Sequence, residues 1–221
     1  MSLPPWTQNM AKKQTGVSNT TNTRENLLKL AARTFGDSGY SGTTMRAIAD
    51  QAGIEAASIY YHFPSKERLV EEVMEQGANR ILFHLNEQVE ALQPGATAEQ
   101  RFRAAVLGQM LGLVLHGDFA LANSRLLGQL PDQVRERQVQ RREQHQMRWN
   151  KLLEDLRAEG RIRADVDIPL ARIFILGSIN SVQTWFNPSR GSIEKVADEM
   201  CNLFFNGAAP PASRHLSDTK A

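Results

Sequence analysis

Residues 43–66 read TTMRAIADQAGIEAASIYYHFPSK, and this stretch decides the fold of the first part of the chain. It predicts two short helices separated by a three-residue turn that contains Gly53. Glycine adopts the left-handed backbone conformation of such a turn at little cost, whereas other residues lose free energy there. Ala49, four positions earlier, is small enough to let the two helices cross closely. This spacing is typical of a helix-turn-helix.

The apolar residues of this stretch predict a small core that the two helices share. The predicted core residues are Ile48, Ala52, Ile54 and Ile59. The outer surface of the second helix is predicted to present Ala56, Ala57, Ser58, Tyr60, Tyr61 and His62. Pro64 ends that helix, because the residue before a proline is disfavoured in helical geometry. Ser65 is a suitable N-cap for the helix that follows.

Helical periodicity continues on both sides of this stretch. Apolar residues recur at three- to four-residue spacing over 24–38, and Gly39 is placed to end that helix. Beyond Pro64 the sequence predicts six more helices, of which the last four span about 118–129, 131–160, 167–186 and 192–206. Segment 167–186 is apolar on nearly all sides and is predicted to be buried on most faces. No alternating strand pattern of useful length is present, so the sequence predicts an all-α fold.

Length, cysteine content and charge limit the class of protein. A chain of 221 residues can bury a core without disulfides or metals. Its single cysteine, Cys201, excludes an internal disulfide and a zinc site built on paired thiolates, and it predicts a cytoplasmic protein. No apolar stretch approaches the length of a membrane span. The net charge of +2 excludes a bulk coat for nucleic acid, but not a site-specific binder.

Residues 43–54 and the run 58–67 resemble the DNA-binding signature of the TetR family of transcriptional regulators. The close resemblance covers about residues 21–81. It implies an N-terminal three-helix helix-turn-helix domain followed by a larger helical domain for ligand binding and dimerisation. The predicted segments are a disordered tail (1–20), a DNA-binding domain (21–81, motif 44–63), a ligand-binding and dimerisation domain (82–206) and a second disordered tail (207–221).

The resemblance also implies a role for each matching residue. It implies phosphate contacts for Thr44, Tyr60, Tyr61, His62 and Lys66. It places Arg46, Ala57 and Ser58 nearest the base edges. Because arginine pairs bidentately with guanine, Arg46 is the best candidate for direct readout. Glu55 stands where the family commonly has Ser or Thr, and the alanines offer no hydrogen bonds, so we expect sparse base readout that depends on DNA shape.

The resemblance implies that the larger domain encloses a small-molecule pocket and forms a two-fold dimer through the last two helices. Two such apolar helices from each subunit would form a four-helix interface, and the alternative is that both fill the chain's own core. Candidate pocket residues, which combine aromatic rings with polar groups, are Arg125, His145, Trp149, Asn180, Trp185 and Phe186. A structural role is the alternative for each of them.

The function predicted from these features is a ligand-responsive repressor that leaves a palindromic operator when an effector binds. Segments 127–131 and 185–188 are similar to the branch of the family that senses acyl-CoA thioesters, so the expected effector is small and apolar or acyl-CoA-like. A DNA-binding regulator or architectural protein without a ligand is the alternative. A helical enzyme lacks support, because no nucleophile motif or Gly-rich phosphate loop is present and the five histidines lack metal-ligand spacing. No catalytic residue, metal or cofactor is predicted.

Overall fold

A computed structural model of the protein describes residues 19–206. The predicted tails lie outside this range, except for residues 19 and 20, which the structure places in the first helix rather than in a disordered segment. Within the range, the regular elements are all helical, so the predicted all-α fold is confirmed. No single helix of this part is long and apolar enough to cross a membrane, although the pair Ala98–Leu115 and Gly117–Gln129, bent by 95°, has the required length and composition.

The described residues form nine α-helices. They are α1 (Asn19–Gly42), α2 (Met45–Ala52), α3 (Ala56–His62), α4 (Lys66–Glu90), α5 (Ala98–Leu115), α6 (Gly117–Leu126), α7 (Asp132–Ala158), α8 (Ile168–Trp185) and α9 (Ile193–Asn206). Single 3-10 turns, Leu127–Gln129 and Pro188–Arg190, follow α6 and α8. The two helices predicted for the helix-turn-helix are therefore α2 and α3.

The helices group into two compact units that do not follow the order of the chain. The first combines the described residues up to Arg80 with His116–Glu143. The second combines Ile81–Leu115 with the described residues from Gln144 onward. Helix α6 therefore packs with the helices of the DNA-binding motif, although it lies beyond the predicted domain 21–81.

The first unit is built around α1, which packs against α2 and α6. Its buried apolar side chains include Leu27, Leu28, Ala31 and Phe35 of α1, Ile48 and Ile59 of the motif, Val70 and Val73 of α4, and Phe119, Ala122 and Leu126 of α6. Gly39 breaks α1 with a φ of 71°, and this confirms the predicted end of the regular helix. One helical turn follows the break, up to Gly42.

In the second unit, α5 closely approaches the second part of α4 at two glycines. A Cβ atom on Gly108 would lie 2.5 Å from the carbonyl oxygen of His84 and from the Cα of Leu85. A Cβ atom on Gly112 would lie 2.7 Å from the Cα of Ile81. Real Cβ atoms do not come this close to backbone atoms, so both positions require glycine for close packing rather than for backbone conformation.

Helix α8 has one buried side and one exposed side, so the single chain by itself does not bury it on most faces. Its buried side consists of Ile168, Ile175, Ile179 and Val182. Four apolar residues of α8 are each 48% to 67% exposed, namely Leu170, Ile173, Phe174 and Trp185. Leu203 on α9 is 53% exposed. We call the four residues of α8 the exposed apolar face. The alternative that α8 only fills the chain's own core therefore fails for this side of the helix.

The close approach of α4 and α5 predicts that Gly108→Ala lowers the free energy of unfolding by about 1–3 kcal/mol, the usual cost of overpacking. The added methyl group would meet backbone atoms, which cannot rotate away as a side chain can. Denaturant-induced unfolding followed by circular dichroism measures this change. Gly128→Ala is the control, because nothing lies within 4 Å of its Cβ position. Equal midpoints for the two variants would contradict the close packing at Gly108.

Candidate nucleic-acid interface

Helix α2 begins at a capping threonine and presents one long cation to solvent. The hydroxyl oxygen of Thr44 accepts a hydrogen bond from the backbone N–H of Ala47 at 3.1 Å. The buried residues of α2 are Met45, Ile48 and Ala49. Arg46 lies on the opposite side with 84% of its side chain exposed, and its Nε is 4.0 Å from a carboxylate oxygen of Asp50. An exposed pair at this distance contributes little, so the guanidinium remains accessible.

The turn between α2 and α3 has the predicted left-handed glycine. Gly53 has a φ of 68° and a ψ of 31°, and its N–H donates to the carbonyl of Asp50. The N–H of Ile54 donates to the carbonyl of Ala49 at 3.1 Å. Of the residues predicted for the shared core, Ile54 is half-buried and packs against the core, whereas Ala52 is exposed because α2 ends there and the chain turns away.

Helix α3 has one fully buried residue and one half-buried residue, His62, and its other residues are exposed to solvent. Ile59 is its buried residue, and the N–H of Phe63, itself buried, donates to the carbonyl of Ile59 at 2.9 Å. A helix of seven residues is not stable alone in water, so this packing holds it. Glu55, which precedes the helix, makes no side-chain capping hydrogen bond. The buried side chains of Ile59 and Phe63 therefore hold α3 against the core, while its outer side is accessible to solvent.

Seven of the eight residues implied as DNA contacts belong to the two helices of the motif: Thr44 caps α2, Arg46 lies on α2, and five lie on α3. The eighth, Lys66, is the first residue of α4. Six are exposed, namely Thr44, Arg46, Ala57, Ser58, Tyr60 and Tyr61, and two are half-buried, namely His62 and Lys66. The rings of Tyr61 and His62 meet edge to face with centroids 5.3 Å apart. Tyr61 is the more exposed, at 82%.

Tyr40, which the sequence did not single out as a site residue, contacts the beginning of α4. The Nζ of Lys66 lies 4.2 Å from the centroid of the Tyr40 ring, a cation–π contact. The Tyr40 hydroxyl donates to Oε1 of Glu67 at 2.8 Å. The Ser65 hydroxyl oxygen accepts from the N–H of Arg68 at 3.2 Å and so caps α4, as the sequence predicts.

These contacts shift three pKa values. Burial, and then the hydrogen bond to Glu67, raises the pKa of Tyr40 to about 12. The backbone N–H of Glu67, followed by the hydroxyls of Tyr40 and Ser65, lowers the pKa of the Glu67 carboxyl. Burial lowers the pKa of Lys66, and the negative charge of Glu67 partly offsets this by raising it. At neutral pH Tyr40 is therefore a hydrogen-bond donor and Glu67 is an ionised acceptor.

Two of the six predicted pocket residues are joined in the second unit by Gln109, which the sequence reading missed. The indole N–H of Trp149 donates to Oε1 of Gln109 at 3.0 Å, and Nε2 of Gln109 donates to Oδ1 of Asn180 at 3.0 Å. Trp149 and Gln109 are buried, whereas Asn180 is exposed. Nothing in the sequence distinguishes Gln109, because a single glutamine in an apolar helix has no motif around it.

Two of the other four predicted pocket residues, Arg125 and Trp185, make hydrogen bonds elsewhere. Arg125 belongs to the first unit, where its NH1 donates to the carbonyl of Gly36 at 2.7 Å. The indole N–H of Trp185 donates to the Ser181 hydroxyl, and the ring is exposed. His145 and Phe186 are half-buried. Among residues 19–206, no group of three His, Cys, Asp or Glu side chains is placed to hold a metal ion.

A helix-turn-helix with its second helix exposed defines a DNA-binding protein of the helix-turn-helix class. Two family models match the chain: the bacterial regulatory proteins of the tetR family over residues 27–73, and the tetracyclin repressor-like C-terminal domain over residues 95–208. The chain therefore belongs to the TetR family of transcriptional regulators, and the resemblance stated from the sequence is confirmed.

Relatives are similar to this chain over most of their length. The transcriptional repressor KstR2 of Mycolicibacterium smegmatis is 32% identical over 83% of this chain and 89% of its own. The solved structure of the ketosteroid transcriptional regulator KstR2 of Mycobacterium tuberculosis has a TM-score of 0.73 at 26% identity, covering 87% of this chain and 96% of that one. AibR, solved with isovaleryl coenzyme A and operator DNA, has a TM-score of 0.72 at 26% identity, covering 83% and 98%.

The lowered pKa of Glu67 predicts how the stability of Glu67→Gln depends on pH. A carboxyl whose pKa is lower in the folded protein stabilises the fold at pH values above its ordinary pKa of 4.5. This stabilisation is lost as the pH falls below 4.5. Wild type is therefore expected to be more stable than Glu67→Gln at pH 7, and the difference should shrink below pH 4.5. Denaturant unfolding of both proteins at several pH values measures it. A difference that is constant with pH would contradict the ionised hydrogen bond.

Proposed function

We propose that the protein is a dimeric, ligand-responsive repressor that binds an operator through α2 and α3 and is released when an effector binds the second unit. The main support for this proposal is the exposed outer side of α3. The buried side chains of Ile59 and Phe63 hold this helix against the core. In helix-turn-helix proteins this second helix enters the major groove, while the first crosses the backbone.

In this proposal, base readout and phosphate contact belong to different residues. Arg46, exposed at the beginning of α2, pairs with a guanine edge. Ala57 and Ser58 lie nearest the bases and together offer a single hydroxyl, so readout is sparse. The phosphate contacts come from Thr44, Tyr60, Tyr61, His62 and Lys66. The oxygen of Thr44 caps α2, which leaves its hydrogen to donate to a phosphate.

The exposed apolar face supports dimerisation through α8 and α9. Three neighbouring side chains of α8, Leu170, Ile173 and Phe174, are each about half exposed or more. Gly177, one turn further, has open space around its Cβ position, so another backbone can approach there. A contiguous apolar patch of this kind marks an interface, and a two-fold axis places the same patch of a second copy against it.

For the effector we propose an acyl-CoA thioester that binds in the second unit. AibR is solved with isovaleryl coenzyme A, which gives a CoA thioester a precedent, and KstR2 is described as a ketosteroid transcriptional regulator, which connects a second relative with a bulky apolar class of compound. The hydrogen bonds from Trp149 through Gln109 to Asn180 lead from buried polar groups to an exposed amide, and polar groups among apolar side chains are typical of a ligand site. We also propose a cytoplasmic location, where operator DNA and CoA thioesters are both present.

The division of roles predicts different effects of Arg46→Ala and Lys66→Ala. Arg46→Ala should lose preference for a duplex selected by the wild type over a scrambled duplex, by a factor that corresponds to about 1–3 kcal/mol. Lys66→Ala should weaken both duplexes equally and reduce the slope of log K against log salt by about 0.9. Fluorescence anisotropy titrations at several salt concentrations measure both. An unchanged slope for Lys66→Ala would remove its assignment as a phosphate contact.

Dimerisation through the exposed apolar face predicts that Phe174→Glu produces a monomer, because a charge would be buried without a partner. Light scattering coupled to size exclusion measures the mass. Phe83→Glu is the matched control, since Phe83 is also an exposed phenylalanine of the second unit, at 62%, but lies on α4. A dimer that survives Phe174→Glu and dissociates with Phe83→Glu would place the interface elsewhere.

Release by an effector predicts reciprocal coupling between the two ligands. Isovaleryl coenzyme A, a long-chain acyl-CoA and a steroid acyl-CoA are each titrated into the complex of the protein with a selected duplex, with free coenzyme A as the control. At least one thioester should release the duplex, and the duplex should weaken its binding by the same factor. Thioester affinity that is the same with and without DNA would favour the alternative of a regulator that needs no ligand.

A further inference from the structure

Tyr40 lies between two segments of the first unit that are distant in sequence. Its backbone N–H donates to Oε1 of Gln129 at 3.0 Å. Its ring carries the ammonium of Lys66 on one face, and its hydroxyl donates to Glu67. The ring of Phe35 lies nearly parallel to that of Tyr40, with an interplanar angle of 8° and centroids 6.3 Å apart. Tyr40 is therefore held at its backbone, its ring and its hydroxyl.

Gln129 is fixed in turn by the segment that surrounds it. Its Nε2 donates to the carbonyl of Arg125 at 3.2 Å, and the Arg125 guanidinium donates to the carbonyl of Gly36. A Cβ atom on Gly39 would lie 2.5 Å from Oε1 of Gln129, so the amide occupies the space that this glycine leaves. The end of α6 and its 3-10 turn thus contact α1 before its break and at the break itself.

We propose that Tyr40 and Gln129 are positioning residues for the contact of Lys66 with a DNA phosphate. The proposal rests on the proposed role of Lys66 in DNA binding. A lysine side chain has many rotamers, and restricting them before binding reduces the entropy lost on contact. The ring of Tyr40 restricts the ammonium of Lys66, and Gln129 fixes the backbone from which that ring projects.

Two further observations agree with this arrangement. The pKa of Tyr40, raised to about 12, keeps its hydroxyl protonated and bonded to Glu67 throughout the physiological range. The burial that lowers the pKa of Lys66 shows that its ammonium has already lost part of its water. Less water then remains to be removed when a phosphate binds.

The test is a double-mutant cycle on binding to a fluorescent duplex of random sequence, measured by anisotropy at several salt concentrations. Tyr40→Leu, which removes the ring, should weaken binding about two- to fivefold, the equivalent of an exposed cation–π contact. Tyr40→Phe keeps the ring and should stay within about twofold of the wild type. Gln129→Ala should weaken binding by less than Tyr40→Leu. In a Lys66→Ala background, neither Tyr40→Leu nor Gln129→Ala should change the affinity further.

The control background is Arg46→Ala, in which Tyr40→Leu should weaken binding as much as in the wild type. Gln129 is exposed, so its variant completes the cycle even if Tyr40→Leu does not fold. If the effects of Tyr40→Leu and Lys66→Ala on affinity are additive, the positioning role is overturned. If Lys66→Ala still weakens binding in that case, the phosphate contact itself stands. If Lys66→Ala changes neither affinity nor salt slope, the phosphate contact fails, and the positioning proposal fails with it.

Discussion

The burial of Ile59 and Phe63 is the interaction on which the proposed function depends. Helix α3 has seven residues, too few to be stable alone, and Ile59 is its buried side chain. Both residues belong to one core with Phe35 of α1 and Val70 of α4. Because this core supplies the stability, the remaining positions of α3 need not contribute to it. Alanine, serine and tyrosine can therefore occupy the outer side, which the proposed function assigns to DNA contact.

A second constraint is the packing of α6 against α1, which places α6 in the first unit. Arg125 and Gln129 contact α1 on the two sides of its break at Gly39, although they are 89 residues from their partners in sequence. The segment that begins at His116 therefore packs with the DNA-binding helices. Helix α4 belongs to both units through its continuous backbone.

Local signals predicted the helix-turn-helix well because each of them acts within a few residues. The cap at Thr44, the left-handed turn at Gly53 and the end of α3 before Pro64 depend on neighbours in sequence. The contacts of Tyr40 with Gln129 and of Trp149 with Gln109 depend on tertiary packing, and no spacing rule reveals them. Periodicity likewise showed that α8 is apolar on nearly all sides, but it cannot show what covers each side.

In the proposed complex, two copies of the chain are joined through the exposed apolar face and present two α3 helices to one operator. The most direct measurement is the selection of bound duplexes from a random pool by the wild-type protein, followed by sequencing. The expected result is an inverted repeat whose half-sites are centred one helical turn, ~34 Å, or a multiple of it apart. Enrichment of a single unrepeated site, or no enrichment at all, would contradict it.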